Sequence, residues 1–400
     1  MANILITWEL GGGVGHLGRW RPWIDHWLAQ GHRITLAVRN LSRVHEIYNG
    51  VPVHLRQAPF QQGALVHYPQ VSHFEQILVN VGFHKVPPLT AHCLAWRGLF
   101  DDLHPDLVLF DHSPTALLAA RGLGFKKIVI GSGFTVPPTQ WPFASLRLSD
   151  GPDAEAQAAT AVEARALLLT SMNQVNEYLG AAKMADVAEL YQAHAHWLQT
   201  FRELDPYAPH RTTEIYGYLQ GDVAGVDPEW PVQGEGRIFV YLAQGSEVAK
   251  VLTALGRTGC SVIAYLSGLK REHFGNLPAN LHISNHPVDM RKVAAQCDLG
   301  VCHGHGVLSD LLLAGKPVLS IPATLEQAVH ARQSAELGAG LTCPATQPDQ
   351  ATAMALRLLR EPLFTDQAQA FAARYSAEDE TNGSRAFLED ADKLLANGQN

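Results

Sequence analysis

Two histidine-containing glycine turns carry the residues best suited to chemistry. One lies in the stretch 302–327, CHGHGVLSDLLLAGKPVLSIPATLEQ, where His303, Gly304, His305 and Gly306 separate the apolar run 299–302 from a second run, 308–313, closed by Gly315 and Pro317. The spacing predicts a strand, a turn and a helix start. Such a start presents backbone N–H groups without helical partners and the positive end of the helix dipole, and glycines let an anion approach the backbone. A phosphate or diphosphate suits that chemistry, although a tight packing turn accounts for Gly-x-Gly alone equally well. Asp310 follows one turn into the helix, and a strand over 318–321, ending in Pro322, delivers Glu326 and Gln327 to the same sheet edge.

The second turn, GGGVGHLGR over residues 11–19, follows the first apolar strand and opens a helix. It contains G-x-G-x-x-G at Gly13, Gly15 and Gly18, the fingerprint of a dinucleotide site. Such a site wants an acid at the end of the next strand to hold the ribose. That strand ends Ala37-Val-Arg39-Asn40, with no acid, although Arg39 would suit the phosphate of NADP. His16 begins the helix, and an imidazole, which titrates near neutral pH, can serve there as general base or simply cap and pack. Asp111, ending the strand 107–110, can orient such a base or cap the helix that follows.

The order of these features resembles the two-Rossmann-domain (GT-B) nucleotide-sugar glycosyltransferases, the superfamily 1 group of UDP-glycosyltransferases. Their pattern is a His-Gly-Gly turn, a Glu further on, Gly-x-Pro, a Pro-ended strand and an acid–Gln pair. Here the order is kept, the turn is shortened to His303-Gly-His-Gly306, and Val307 stands where Thr or Ser is common. The resemblance runs along nearly the whole chain, concentrated at 3–19, 106–115 and 299–340. It implies inverting transfer of a sugar from a nucleoside diphosphate, UDP before dTDP, to a hydroxyl-bearing acceptor, small or lipid-like. It implies no metal, and no cofactor beyond the nucleotide sugar as co-substrate. His16 would be the base and Asp111 its partner. His303, Gly304, His305, Gly306, Val307 and Ser246 would hold the diphosphate, Val288, Met290 and Asp310 the nucleoside, and Glu326 and Gln327 the sugar hydroxyls. A nucleotide-sugar epimerase of the same fold, an NADPH-dependent reductase using residues 13–18, and a non-catalytic activator are the competing classes.

The elements that must position these residues alternate strand and helix. Residues 4–7, 33–38, 107–110 and 128–130 read as strands with helices at 17–29 and 113–121 between them, and strands recur at 237–242, 262–266, 281–284, 299–302 and 318–321. Residues 154–204 read as mostly helical. A Gly- and Pro-rich segment suggests a linker at 217–236, separating an acceptor-binding domain, 1–216, from a nucleotide-sugar-binding domain, 237–378. The expectation is α/β, two Rossmann-like domains with parallel sheets facing across a cleft. By the resemblance, a terminal helix, 379–400, returns to the first domain. Trp20, Trp23, Ile24, Trp27 and Leu28 make an apolar stripe on the first helix, either core-facing or a contact for a membrane surface or an apolar acceptor.

Composition excludes several classes. Four hundred residues, 46% hydrophobic and 17% charged, suffice for two cored domains. A net charge of -8 without a basic run speaks against nucleic acid. No apolar stretch reaches the roughly 18 residues of a membrane span, and the opening strand lacks a leader's basic region, so a cytoplasmic protein is expected. The five cysteines form no C-x-x-C pair and fit buried, reduced thiols. The 20 histidines include no recognisable metal set, and Asp390 and Asp392 diverge by about 200° on a helix.

Overall fold

The computed structural model describes residues 1–11, 15–60, 66–147, 152–212, 215–219, 225–231, 235–243, 245, 247–375 and 377–396. Gly13 of the dinucleotide fingerprint, Ser246, and Gly221 and Gly234 of the expected linker lie outside them. The chain divides into two compact units, Met1–Gly221 with Asn382–Asn400, and Asp222–Thr381.

The first unit holds β1 Asn3–Trp8, β2 Arg33–Val38, β3 His54–Gln57, β4 Leu107–Asp111, β5 Lys126–Gly131, β6 Ala195–Leu198 and β7 Ile215–Tyr216. They form one sheet, ordered β3-β2-β1-β4-β5-β6-β7 with parallel pairings. The order reverses between β1 and β4, which opens a crevice at the carboxyl ends of those two strands. Trp8 and Asp111, their last residues, are register partners there.

Both sheet faces are covered, so the strands are nearly continuous apolar runs rather than alternating ones. Leu5, Val108, Phe110 and Val129 pack with Leu89, Cys93, Trp96 and Phe100 of the helix Val86–Leu103 and with the long helix Pro152–Tyr178. Their strand neighbours Ile4, Ile6, Leu109 and Ile130 face the other way, toward the helix Gly15–Ala29.

The tryptophan stripe is core. Trp20, Trp23, Ile24 and Trp27 are fully buried, and Phe387 of the last helix, Ala377–Ala396, packs 4.0 Å from the Trp23 ring. Asp392 accepts hydrogen bonds from Trp27 Nε1 (3.0 Å) and pairs with His26 Nε2 (3.0 Å). Burial of each indole contributes roughly 4–6 kcal/mol at ~25 cal/mol/Å², which no membrane or acceptor contact through this stripe could retain. Residues 154–204 are mostly helical, as expected, but not throughout. The helix stops at Tyr178 and the segment then forms β6, flanked by the 3₁₀ turns Val187–Tyr191 and Arg202–Leu204.

The second unit holds β8 Arg237–Ala243, β9 Ser261–Ser267, β10 Leu281–Ser284, β11 Leu299–Cys302, β12 Val318–Ser320 and β13 Gly340–Thr342. The sheet is parallel, ordered β10-β9-β8-β11-β12-β13, and its order reverses between β8 and β11. The helix His305–Leu313 packs onto β11 at Gly300, where any Cβ would overlap the Leu311 side chain. All five cysteines are buried free thiols. No helix among the described residues is long and apolar enough to cross a membrane.

Candidate active site

Each unit places candidate residues at its own switch point. In the first, the helix Gly15–Ala29 starts just beyond β1 and carries His16 as its second residue. His16 Nδ1 lies 2.7 Å from Asp111 Oδ2. The carboxylate is fully buried, whereas the His16 side chain is 26% exposed. A carboxylate on Nδ1 selects the tautomer with its proton on that atom and leaves the Nε2 lone pair as acceptor, as in other His–Asp pairs. Trp20 Nε1–H donates to the same Asp111 oxygen at 3.1 Å. Asp111 thus acts as a partner to two N–H donors, and the alternative role as a helix cap falls to its neighbours: Ser113 occupies the N-cap position of the helix Pro114–Ala119.

Two residues beside this pair carry no sequence signal of their role. Glu9, just past β1, is 1% exposed and accepts from Thr115 N–H (2.6 Å) and Trp96 Nε1–H (3.0 Å), which fixes the loop after β4 to the loop after β1. Burial pushes its carboxyl up to about 7, against the downward pull of those hydrogen bonds. His112 adopts a left-handed backbone (φ 41°), its carbonyl accepts from Leu10 N–H at 3.1 Å, and burial pushes its ring down to about 4. Strand ends rich in buried polar groups are legible only as capping residues until the loops are seen together.

Arg39, the residue a reductase would need for the 2′-phosphate, instead lies over the Phe60 ring, 4.7 Å from its centroid. β2 still ends without an acid.

In the second unit the turn after β11 has the expected shape but a different use of its histidine. His303 Nδ1 lies 2.6 Å from the carbonyl of Ile321, and Nε2 accepts from Ala243 N–H at 2.9 Å. The ring therefore bridges the ends of β8, β11 and β12 as the Nδ1–H tautomer. Both nitrogens are engaged by backbone groups, so the ring as placed ties the strand ends together around the turn. Gly304 is the N-cap of the helix His305–Leu313, with φ 146°, ψ -163° and no side-chain cap. A Cβ there would meet Gln327 Cα at 3.4 Å, so the turn lies directly against the helix Leu325–Glu336. Gly304, His305, Gly306 and Val307 form the helix start, with Asp310 half-buried in its second turn.

Of the pair Glu326 and Gln327, in the first turn of the helix Leu325–Glu336, Gln327 lies against Gly304 of this turn. Gln327 Oε1, however, accepts from the N–H groups of Ala323 (2.7 Å) and Thr324 (3.2 Å), while Thr324 Oγ1 accepts from Gln327 N–H. This capping box engages the carbonyl oxygen of the Gln327 side chain and not its amide NH2. Val288 is 8% exposed and bridges Val226: Asp289 N–H donates to Val226 O and Val226 N–H to Pro287 O, both 2.8 Å. The main-chain groups flanking Val288 are thereby committed, and Met290, half-buried, opens the helix Met290–Gln296 that Asp289 caps. The helix after β8 begins at Val248, beyond Gly245, with Glu247 at its N-cap. Among the described residues no cluster of three or more His, Cys, Asp or Glu side chains could hold a metal ion.

Residues 249–382 match the family of erythromycin biosynthesis protein CIII-like C-terminal domains. A PGL/p-HBAD biosynthesis glycosyltransferase of Mycobacterium tuberculosis (strain ATCC 25177 / H37Ra) is 22% identical over 292 residues, 67% of this chain and 66% of that protein. The chain thus spans just under two thirds of that relative's length. Among solved structures, a kitacinnamycin glycosyltransferase superposes with TM-score 0.70 at 18% identity, over 98% of this chain and 99% of that one. The glycosyltransferase VinC in complex with dTDP gives TM-score 0.67 at 18% identity, over 97% and 100%. The fold is that of the GT-B glycosyltransferases. The curated relative and these solved structures are glycosyltransferases by name.

Proposed function

We propose that this protein is an inverting, metal-independent glycosyltransferase that moves a sugar from a nucleoside diphosphate to a hydroxyl-bearing acceptor. The observation that carries the reading is the 2.7 Å contact of His16 with the buried Asp111, which turns Nε2 into the free acceptor of a partly exposed ring. Nε2 takes the acceptor's hydroxyl proton. The oxygen then forms its bond to the anomeric carbon as the carbon–oxygen bond to the diphosphate breaks on the opposite face, so the configuration inverts. The proton stays on His16, and Asp111 stabilises the imidazolium.

The leaving diphosphate carries the bonding electrons away, and charge developing on it is favoured by N–H groups at the helix start around Gly304 to Val307. Asp310 serves the ribose and Glu326 the sugar hydroxyls. The donor is a thymidine diphosphate sugar in preference to the uridine diphosphate sugar expected from sequence. Support comes from the dTDP held by VinC and the thymidine diphosphate held by the spinosyn rhamnosyltransferase SpnG, which share this fold.

Thermal-shift titration with dTDP, UDP and their sugars names the donor, because a ligand that binds only the folded state raises the melting temperature. His16→Ala should lower turnover about a hundredfold or more while the donor-induced shift persists. Wild-type turnover in that variant removes His16 as base, product formed without acceptor makes the protein an epimerase, and retained anomeric configuration in the product excludes inversion.

A further inference from the structure

We propose that Trp8 is a positioning residue for His16: its indole face fixes the imidazole and receives the positive charge that the ring acquires. The inference rests on the reading of His16 as the base. Trp8 ends β1 and is the register partner of Asp111, so the aromatic ring and the carboxylate start from neighbouring points of the same switch. The Trp8 and His16 rings stack, with centroids 4.8 Å apart and planes 18° from parallel. Trp20, which donates to Asp111 Oδ2, meets Trp8 edge-on at 5.9 Å and 88°. Asp111 therefore sets the direction of the His16 Nδ1 edge, Trp8 sets the plane of the ring, and Trp20 supports both.

The indole is itself built into place. Trp8 is 2% exposed, and the backbone at Gly11 closes on it so tightly that a Cβ there would lie 2.6–2.7 Å from Cζ2, Cε2 and Nε1. Gly11 adopts φ 141°, a conformation that side-chain-bearing residues rarely take. A planar imidazole held at Nδ1 alone can still rotate about that hydrogen bond; a flat ring beneath it removes this freedom. A cation over an indole face is also attracted by the ring quadrupole. That attraction is small for the neutral ring and grows as the proton arrives, so it favours the transition state over the bound ground state. Trp8 should act on kcat and leave KM alone.

Two measurements test this. In protein labelled with [13C-ring]histidine, the His16 ring protons, assigned through His16→Ala, should resonate upfield from the ring current of Trp8. An unshifted His16 signal in the wild type overturns the stacking, whatever the variants do. In kinetics, Trp8→Leu should lower kcat roughly ten- to thirtyfold with both KM values within about twofold, and Trp8→Phe, which keeps a ring face, should restore most of the loss. In a His16→Ala background Trp8→Leu should cost nothing further, since both act on one step. Unchanged kcat in folded Trp8→Leu, or an equal loss in the His16→Ala background, overturns the proposal. Full activity of His16→Ala would instead sink the base reading while the ring-current shift remained.

Discussion

Replacing His303 by alanine separates a ring that holds the donor turn from a ring that touches the donor. In the structure its Nδ1–H donates to Ile321 O (2.6 Å) and its Nε2 accepts from Ala243 N–H (2.9 Å). The first bond is partly buried and the second lies at an exposed strand end, where water replaces the lost partner. At ~0.5–1.5 kcal/mol for each net hydrogen bond, His303→Ala should cost about 1–2 kcal/mol. For a unit of this size each kcal/mol moves the melting temperature by ~2–4 °C, so a fall of roughly 3–6 °C is expected by calorimetry. Nucleotide affinity, read by isothermal titration with dTDP and UDP, should weaken only as far as the turn loosens, about two- to fivefold. A charge-assisted contact from the ring to a phosphate would be worth more, about 1.5–3 kcal/mol or at least tenfold in affinity. An undiminished melting temperature with a tenfold or greater loss of affinity would refute the bridging role and restore the ring to the diphosphate.

Three further outcomes follow. Gly304→Ala forces a side chain into φ 146° against Gln327, a strain of about 1–3 kcal/mol, and should weaken dTDP binding tenfold or more; unaltered binding would mean that the turn does not form the cradle. Glu326→Ala should weaken binding of the intact nucleotide sugar far more than that of the free nucleotide, and equal losses by titration would remove it from the sugar. Burial pushes Glu75 up to about 7; its Oε1 accepts from Trp141 Nε1–H at 2.7 Å, and its Oε2 has no partner among the described residues. The folded chain therefore keeps this proton up to about pH 7, while the unfolded chain releases it near pH 4.5, and stability falls as pH rises across that window. Glu75→Gln should shrink the fall, measured by urea unfolding from pH 4.5 to 7.5, by roughly 3 kcal/mol; an unchanged slope would contradict the buried, protonated state.

Long parallel strands were legible because a sheet covered on both faces needs uninterrupted apolar runs, and β1, β2, β4, β9 and β11 are such runs. The peripheral strands were not. β3 reads HLRQ and is exposed along its whole length, β6 follows an alanine-rich helix whose composition carries into it, and β13 has three residues. Their pairing comes from the sheet beside them and not from their own pattern. The pairing of His16 with Asp111 was legible because an imidazole base gains from a carboxylate on its other nitrogen and a strand-end Asp matches the partner position of the resembled family; the structure adds that both lie where the sheet order reverses. Trp8 and Glu9 sit at that same point, yet a tryptophan at a strand end reads as core and an acid before a helix reads as a cap.

The two histidines show what sequence leaves open. Both lie next to glycine at a switch point, His16 after the first strand of its unit and His303 after the fourth of its own. The group offered by the neighbouring strand ends decides between them. Beside His16 there is one carboxylate, which occupies Nδ1 and leaves Nε2 outward. Around His303 there are a carbonyl 18 residues downstream and an N–H 60 residues upstream, and together they occupy both nitrogens. A ring with one nitrogen free can move a proton, and a ring with both bound to backbone can only hold strands together. Local sequence specifies the imidazole; the contacts that fix its chemical role are made by residues far along the chain. The same argument applies to Gln327, because the capping box with Thr324 takes its side-chain carbonyl. The Gln327 side chain is thereby limited to donating through its amide NH2.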